Sequence, residues 1–216
     1  MLRVIFLVLA GMLPQTLWAC NTALILTMDV SNSVDAGEWA LQRDGLADAL
    51  ADREVIEAMI QAQANVMVIQ WSGVDRQEIS IPWTQIQTEA DVANFRQRAS
   101  NLTRAFILSD TAPAEAIAFA LQQFAAVPDC RNKVIDVSGD GTPNAGTSTL
   151  GVRRQAERMG VTINGIAIES LGLAITNFYR RSIITRNGFV MTARMHRDYP
   201  RALREKLIRE LALVFG

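Results

Sequence analysis

The chain has 216 residues, 50% of them hydrophobic and 20% charged, enough to bury one good core and too apolar for a disordered or fibrous protein. Its 21 basic and 22 acidic residues leave a formal charge of −1, so the total offers no support for nucleic acid or another polyanion as a partner. Residues 1–108 are acidic on balance and residues 109–216 basic, an asymmetry of the size an ordinary solvated surface carries.

Residues 1–19 read as a secretory signal peptide: Arg3 supplies the positive start, Val4 to Leu13 is an apolar run, and Pro14 to Ala19 ends in a small residue. That run is about half of the roughly 20 residues a membrane-spanning helix needs, so the expectation is an exported mature domain, 20–216, without a transmembrane anchor. Cys20 and Cys130 are the only cysteines, and in an oxidising compartment an even count invites a disulfide. Cys20 has a second reading, because Leu17-Trp18-Ala19-Cys20 has a lipobox outline, with Trp18 bulkier than the usual residue there. The expected locations are thus the periplasm or beyond it, with lipid anchoring at Cys20 as the rival.

Along the mature chain strand and helix signals alternate. Ala23 to Val30 is an apolar run of the kind buried on both faces of a sheet. Asp35 with Glu38 three residues on forms a capping-box signature, and Trp39, Leu41, Leu46 and Leu50 then recur at helical spacings towards a second helix near Val55 to Ala62. Asn65 to Ser72 and Gln77 to Trp83 are strands joined by a hairpin-length loop, and Pro82 places the second, antiparallel one at an edge. Helices are predicted over Glu89 to Leu102 and Pro113 to Ala126, then a strand over Lys133 to Ser138, a helix over Thr149 to Met159 and a strand over Val161 to Ile168. A short helix near Leu173 to Tyr179, a strand over Phe189 to Ala193 and an amphipathic helix from Tyr199 to Val214 complete one α/β domain with a largely parallel sheet.

In such sheets ligands bind beyond the carboxyl ends of the strands, at the switch point. Two of those ends carry acids: Asp29-Val30-Ser31-Asn32-Ser33 after the first strand, and Ser138-Gly139-Asp140-Gly141 after the fourth. A carboxylate with hydroxyls at alternate positions of a turn aims three oxygens at one point, the donor set of hard divalent cations. Asp140, between two permissive glycines, can add a second carboxylate, and Thr111, ahead of the helix opening at Pro113, a further hydroxyl.

These features resemble the von Willebrand factor A domains, whose metal-ion-dependent adhesion site joins an Asp-x-Ser-x-Ser motif to a later Thr and a later Asp. The matching residues are Asp29, Ser31 and Ser33, then Thr111, then Asp140. The similarity runs over about residues 21–214 and is closest to a group of secreted bacterial members of unknown function, which share Met28 to Asp35, Gln70 to Gly73, Ile81 to Thr84, Val134 to Gly141 and Gly160 to Ile168 as recurring phrases. The resemblance implies a single doubly wound domain with helices on both faces of a mostly parallel sheet and one antiparallel edge strand. It departs at Asn32, where many members have Gly and where Asn tolerates left-handed backbone. It departs again at Ser109-Asp110-Thr111-Ala112-Pro113, where Ser109 is an alternative to Thr111. It also makes the first and fourth strands neighbours, which puts Cys20 and Cys130 near the same end of adjacent strands and implies a bridge between them.

Plainer readings accompany these. The DVSNSVD stretch, 29–35, alone suits a helix cap without metal, Asp136 is a buried structural hydrogen-bond partner, Trp71 and Trp83 are packing residues, and the last helix presents Leu203, Leu207, Leu211 and Val214 to the core. His196, the single histidine, sits in the Arg-rich stretch Arg194 to Arg201 and reads as a solvated surface residue. The expected function is a non-enzymatic binding module in which Mg²⁺, or else Mn²⁺ or Ca²⁺, captures an Asp or Glu of a protein partner. The alternatives are a Mg²⁺-dependent phosphoryl-transfer hydrolase with Asp29 as nucleophile and a metal-free envelope domain. Against the hydrolase, Ser31 stands where a second Asp is usual, and the only lysines are Lys133 and Lys206.

Overall fold

The computed structural model describes residues 20–212, so the signal-peptide reading of 1–19 and the last turn expected at Val214 lie outside the described residues. Six strands form one sheet in the order β3-β2-β1-β4-β5-β6. They are β1 (Thr22–Asp29), β2 (Asn65–Trp71), β3 (Gln77–Gln85), β4 (Asn132–Gly139), β5 (Val161–Glu169) and β6 (Val190–Arg194). All neighbours pair in parallel except β2 and β3. The register of that hairpin shifts between Val66 and Val68, opposite Pro82, so the missing proline N–H falls at a bulge of an edge strand.

Each strand feeds side chains to both faces, and each face is covered by helices. Leu24, Leu26 and Met28 of β1 point into a core closed by α1 (Ala36–Ala49), α2 (Arg53–Gln61), α3 (Glu89–Ser100) and α7 (Tyr199–Ala212). Ala23 and Ile25 point the other way, into a core closed by α4 (Pro113–Gln123), α5 (Thr149–Arg158), the short α6 (Ala174–Phe178) and the π-helical turn that follows it. Every residue of β1 is buried, which is why the sequence shows a continuous apolar run there instead of alternation. At about 1.5–3 kcal/mol for each large apolar side chain withdrawn from water, this strand alone is a major stabilising element.

The capping box holds: Asp35 accepts from the Glu38 amide and Glu38 accepts from the Asp35 amide, fixing where α1 begins. Two details differ from expectation. Leu41 is exposed, and the inward position next to it is Gln42, which donates to the Asp29 carbonyl at 3.4 Å. Asn32 does not use left-handed backbone; the non-glycine positive φ angles among the described residues fall on Gln63, Leu108 and Met195.

Extending the β1–β4 register by two residues sets Cys20 opposite Cys130, and the two form a disulfide with Cα atoms 4.6 Å apart. Asp136 is buried, as expected, but its partner is a charge. Lys206 of α7, with no exposure, lies 2.8 Å from Asp136 Oδ1 and also pairs with Glu210, which in turn accepts from Asn164.

Candidate metal centre

Strand order reverses between β1 and β4, and their carboxyl ends create a crevice at that switch point. Asp29 closes β1 and is fully buried. Its Oδ1 accepts the Ser31 amide at 2.8 Å, whereas Oδ2 is buried without a hydrogen-bond partner. Burial pushes this carboxyl up to about 7; hydrogen bonds from Ser31 and the Arg104 charge oppose the rise without cancelling it.

Around that acid runs a file of hydroxyls. Thr111 Oγ1 donates to Ser31 Oγ at 3.0 Å, Ser31 Oγ lies 3.1 Å from Ser33 Oγ, and Ser33 Oγ donates to Asp140 Oδ1 at 2.6 Å. All five residues singled out in the sequence are therefore brought to one place, from three segments far apart in the chain. Thr111, not Ser109, supplies the third hydroxyl: Thr111 is buried against Ser31, while Ser109 Oγ is turned to Gly73.

The loops are held by groups that sequence reasoning did not find. Arg104 donates to the carbonyls of Val30 and Ser31 at 3.0 and 2.9 Å, clamping the turn that carries the serines. The Thr111 amide donates to Asn144 Oδ1, and the Ser72 hydroxyl donates to the Asp110 carbonyl. A Cβ on Gly139 would stand 2.7 Å from the Tyr179 hydroxyl and 2.9 Å from Asp29 Oδ2, so the backbone there passes too close for any side chain. Beside these acids and under full burial, the Tyr179 hydroxyl is held protonated, its pKa well above the usual value.

His196 is a correction. Its arginine neighbours Arg194 and Arg197 are exposed, but His196 is buried, with Nδ1 3.0 Å from Glu38 Oε1 and Nε2 3.9 Å from Asp140 Oδ2. The turn is made by Met195, whose φ of 61° swings the chain so that residue 196 faces inward. Glu38, Asp140 and His196 offer ligand atoms within 4.8 Å of one another. The overlooked signal was position: His196 follows directly on β6, at the same end of the sheet as Asp29 and Asp140.

The doubly wound sheet, with Asp29, Ser31, Ser33, Thr111 and Asp140 gathered at its switch point, has the fold of the von Willebrand factor A domains. More particularly, the chain belongs to the family described as protein of unknown function (DUF1194), whose model matches residues 19–214. No curated protein matches it. Among solved structures it is similar to proximal thread matrix protein 1 from the mussel byssus, with a TM-score of 0.67, 16% identity, and 90% of this chain and 48% of that one covered. A further structure of that mussel protein, titled with a zinc-occupied MIDAS motif, gives a TM-score of 0.65 at 14% identity over 90% and 46%. The pilus adhesin SpaC from Lactobacillus rhamnosus GG (0.62, 15%, 90% and 30%) and a von Willebrand factor type A protein from Catenulispora acidiphila (0.62, 16%, 92% and 43%) share the fold. The chain spans less than half the length of each. Among the described residues no helix is long and apolar enough to cross a membrane.

Proposed function

We propose that residues 20–216 are an exported binding domain, released from a signal peptide at 1–19, that holds a divalent cation between Asp29, Ser31, Ser33, Thr111 and Asp140 and uses it to capture an acidic group of a protein partner. The observation that carries this reading is Asp29 Oδ2, a buried carboxylate oxygen with no partner, beneath three hydroxyls that lead to a second carboxylate. An anion buried without compensation is costly, and a cation at that point supplies what the protein does not.

The donor set is all oxygen, which suits Mg²⁺, with Mn²⁺ and Ca²⁺ as alternatives. These five residues can supply five oxygen donors where Mg²⁺ takes six, so an Asp or Glu from a partner completes the shell. The zinc-occupied site of the mussel protein and the adhesin among the similar structures support this reading, and the disulfide supports an oxidising location, periplasmic or secreted. With Cys20 in that bridge, lipid anchoring at the same sulfur is disfavoured. A phosphoryl-transfer role fits less well: Asp29 has no exposure to present to a substrate, and Lys206 is occupied by Asp136 and Glu210.

The test is calorimetric titration of Mg²⁺, Mn²⁺ and Ca²⁺ into the purified protein and into its Asp29→Ala and Asp140→Ala variants. Saturable binding of one ion, abolished by Asp29→Ala and weakened or abolished by Asp140→Ala, is the expected result. Absence of heat and of any ion-dependent rise in melting temperature would overturn the reading.

A further inference from the structure

We propose that Asp140 and His196 form a second cation site beside the oxygen-lined one, selective for a transition-type ion such as Zn²⁺, with Glu38 orienting the imidazole. The inference goes beyond the function proposed above and does not depend on the first site being filled.

The tautomer follows from the partners. Nδ1 lies 3.0 Å from Glu38 Oε1, and a carboxylate only accepts, so Nδ1 carries a proton and Nε2 is the nitrogen left to bind a metal in the neutral tautomer. That nitrogen is buried and has no hydrogen-bond partner, on a side chain only 5% exposed. It faces Asp140 Oδ2 at 3.9 Å. This is too long for a hydrogen bond and about half an ångström beyond the roughly 3.4 Å that two tetrahedral ligands of one ion span at bonds of about 2.1 Å, a gap that a small side-chain rotation closes.

The two oxygens of Asp140 divide the work. Oδ1 accepts from Ser33 and belongs to the hydroxyl file, whereas Oδ2 faces the histidine. One carboxylate thus bridges two adjacent positions of different chemistry. The second carboxylate is fixed as well, because Glu38 Oε2 accepts from the Asp35 amide as part of the helix cap, leaving Oε1 to hold the ring. Carboxylate, then imidazole, then metal is the usual outer-shell order around a histidine ligand. An imidazole ligand shifts preference from Mg²⁺ and Ca²⁺ towards Zn²⁺, Ni²⁺ or Co²⁺, and water fills the remaining positions. Occupancy would join the first turn of α1, the end of β4 and the turn that opens α7.

The experiment uses untagged protein, in which His196 is the only histidine and both cysteines are bridged, so metal at a nitrogen ligand has one address. Zn²⁺ and Mg²⁺ stoichiometries are measured for wild type, His196→Gln and Asp29→Asn, together with the imidazole ¹⁵N resonances of wild type and Asp29→Asn. The expected result is two Zn²⁺ per wild-type chain but one Mg²⁺, with Zn²⁺ moving the Nε2 resonance and not removing the Nδ1 proton. His196→Gln should lose one Zn²⁺ and keep its Mg²⁺, which also shows that it folds. Asp29→Asn should lose Mg²⁺ and keep one Zn²⁺ with the same Nε2 shift. An Nε2 resonance unmoved at Zn²⁺ saturation, or a Zn²⁺ count unchanged in His196→Gln, overturns the second site. Loss of every Zn²⁺ in Asp29→Asn also overturns it, while leaving the oxygen-lined site standing. A Zn²⁺-shifted Nε2 in a protein that binds no Mg²⁺ supports the second site and rejects the first.

Discussion

Asp29 and Asp136 lie on neighbouring parallel strands, both fully buried, and burial pushes both carboxyls up to about 7. What surrounds them differs. Asp136, in the middle of β4, is given a cation by the fold itself: Lys206 reaches it at 2.8 Å, shared with Glu210 and steadied through Asn164. Asp29, at the end of β1, is given the Ser31 amide and hydroxyl but no ion pair among the described residues, and its Oδ2, like that of Asp136, has no hydrogen-bond partner. A buried acid that the fold neutralises holds two elements together; a buried acid left short of charge at a strand end is a place for something that arrives from outside.

The strongest way to break this contrast is Lys206→Met, which converts the completed acid into an orphaned one. A loss of about 3–5 kcal/mol in unfolding free energy is expected, measured by denaturant titration, and it should be worse at neutral than at acid pH, where Asp136 can take up a proton. Mg²⁺ binding by the folded fraction should survive, since Lys206 touches none of the five site residues.

Next in size is the disulfide, at the end of β1 opposite to Asp29. Replacing Cys20 and Cys130 together by Ser opens a loop of 110 residues and should cost about 2–4 kcal/mol. The variant's metal affinity should be unchanged, because Cys20 lies just before β1 and Asp29 closes that strand at its far end.

Gly139→Ala is smaller in stability and sharper in function. Its Cβ would meet the Tyr179 hydroxyl and Asp29 Oδ2, an overpacking expected to cost about 1–3 kcal/mol. The displaced Asp29 carboxylate should weaken Mg²⁺ binding at least tenfold by calorimetry.

The last expected effect is a pH dependence with a definite sign. The folded-state value of Asp29, about 7, lies above its ordinary 3.8, so the folded form holds the proton more firmly than the unfolded one. For this group the metal-free protein is most stable below about pH 4 and loses that contribution as pH rises through about 7. Asp29→Asn should flatten part of this slope in melting temperature and Asp136→Asn another part, because burial raises both carboxyls to about 7. Saturating Mg²⁺ should work in the opposite direction, stabilising wild type more as pH rises, by about 2.7 kcal/mol at a hundredfold excess over Kd.

Much of this was legible in the chain. The buried run Ala23 to Val30, the capping pair Asp35 and Glu38, and Pro82 in a hairpin strand each specify an element locally, because periodicity, caps and proline act within a few residues. The motif Asp29-Val30-Ser31-Asn32-Ser33 and Asp140 between glycines could be found as a candidate site for the same reason. Whether Thr111 or Ser109 completes the set was not readable, since both lie in one loop and differ only in which way that loop is sewn to Ser72 and Asn144. The burial of Lys206 was not readable either, since it depends on Asp136, seventy positions earlier in the chain.

The sequence by itself determined the order of strands and helices, the two acids at strand ends and the cysteine pair, because these are written in residue types and short spacings. The tertiary structure alone decided the state of the charges: that Asp136 faces the Lys206 ammonium, that Asp29 has no ion-pair partner among the described residues, and that His196 turns away from its arginine neighbours to stand between Glu38 and Asp140. Burial and ion pairing are properties of three-dimensional neighbourhoods, made by segments that no local pattern connects.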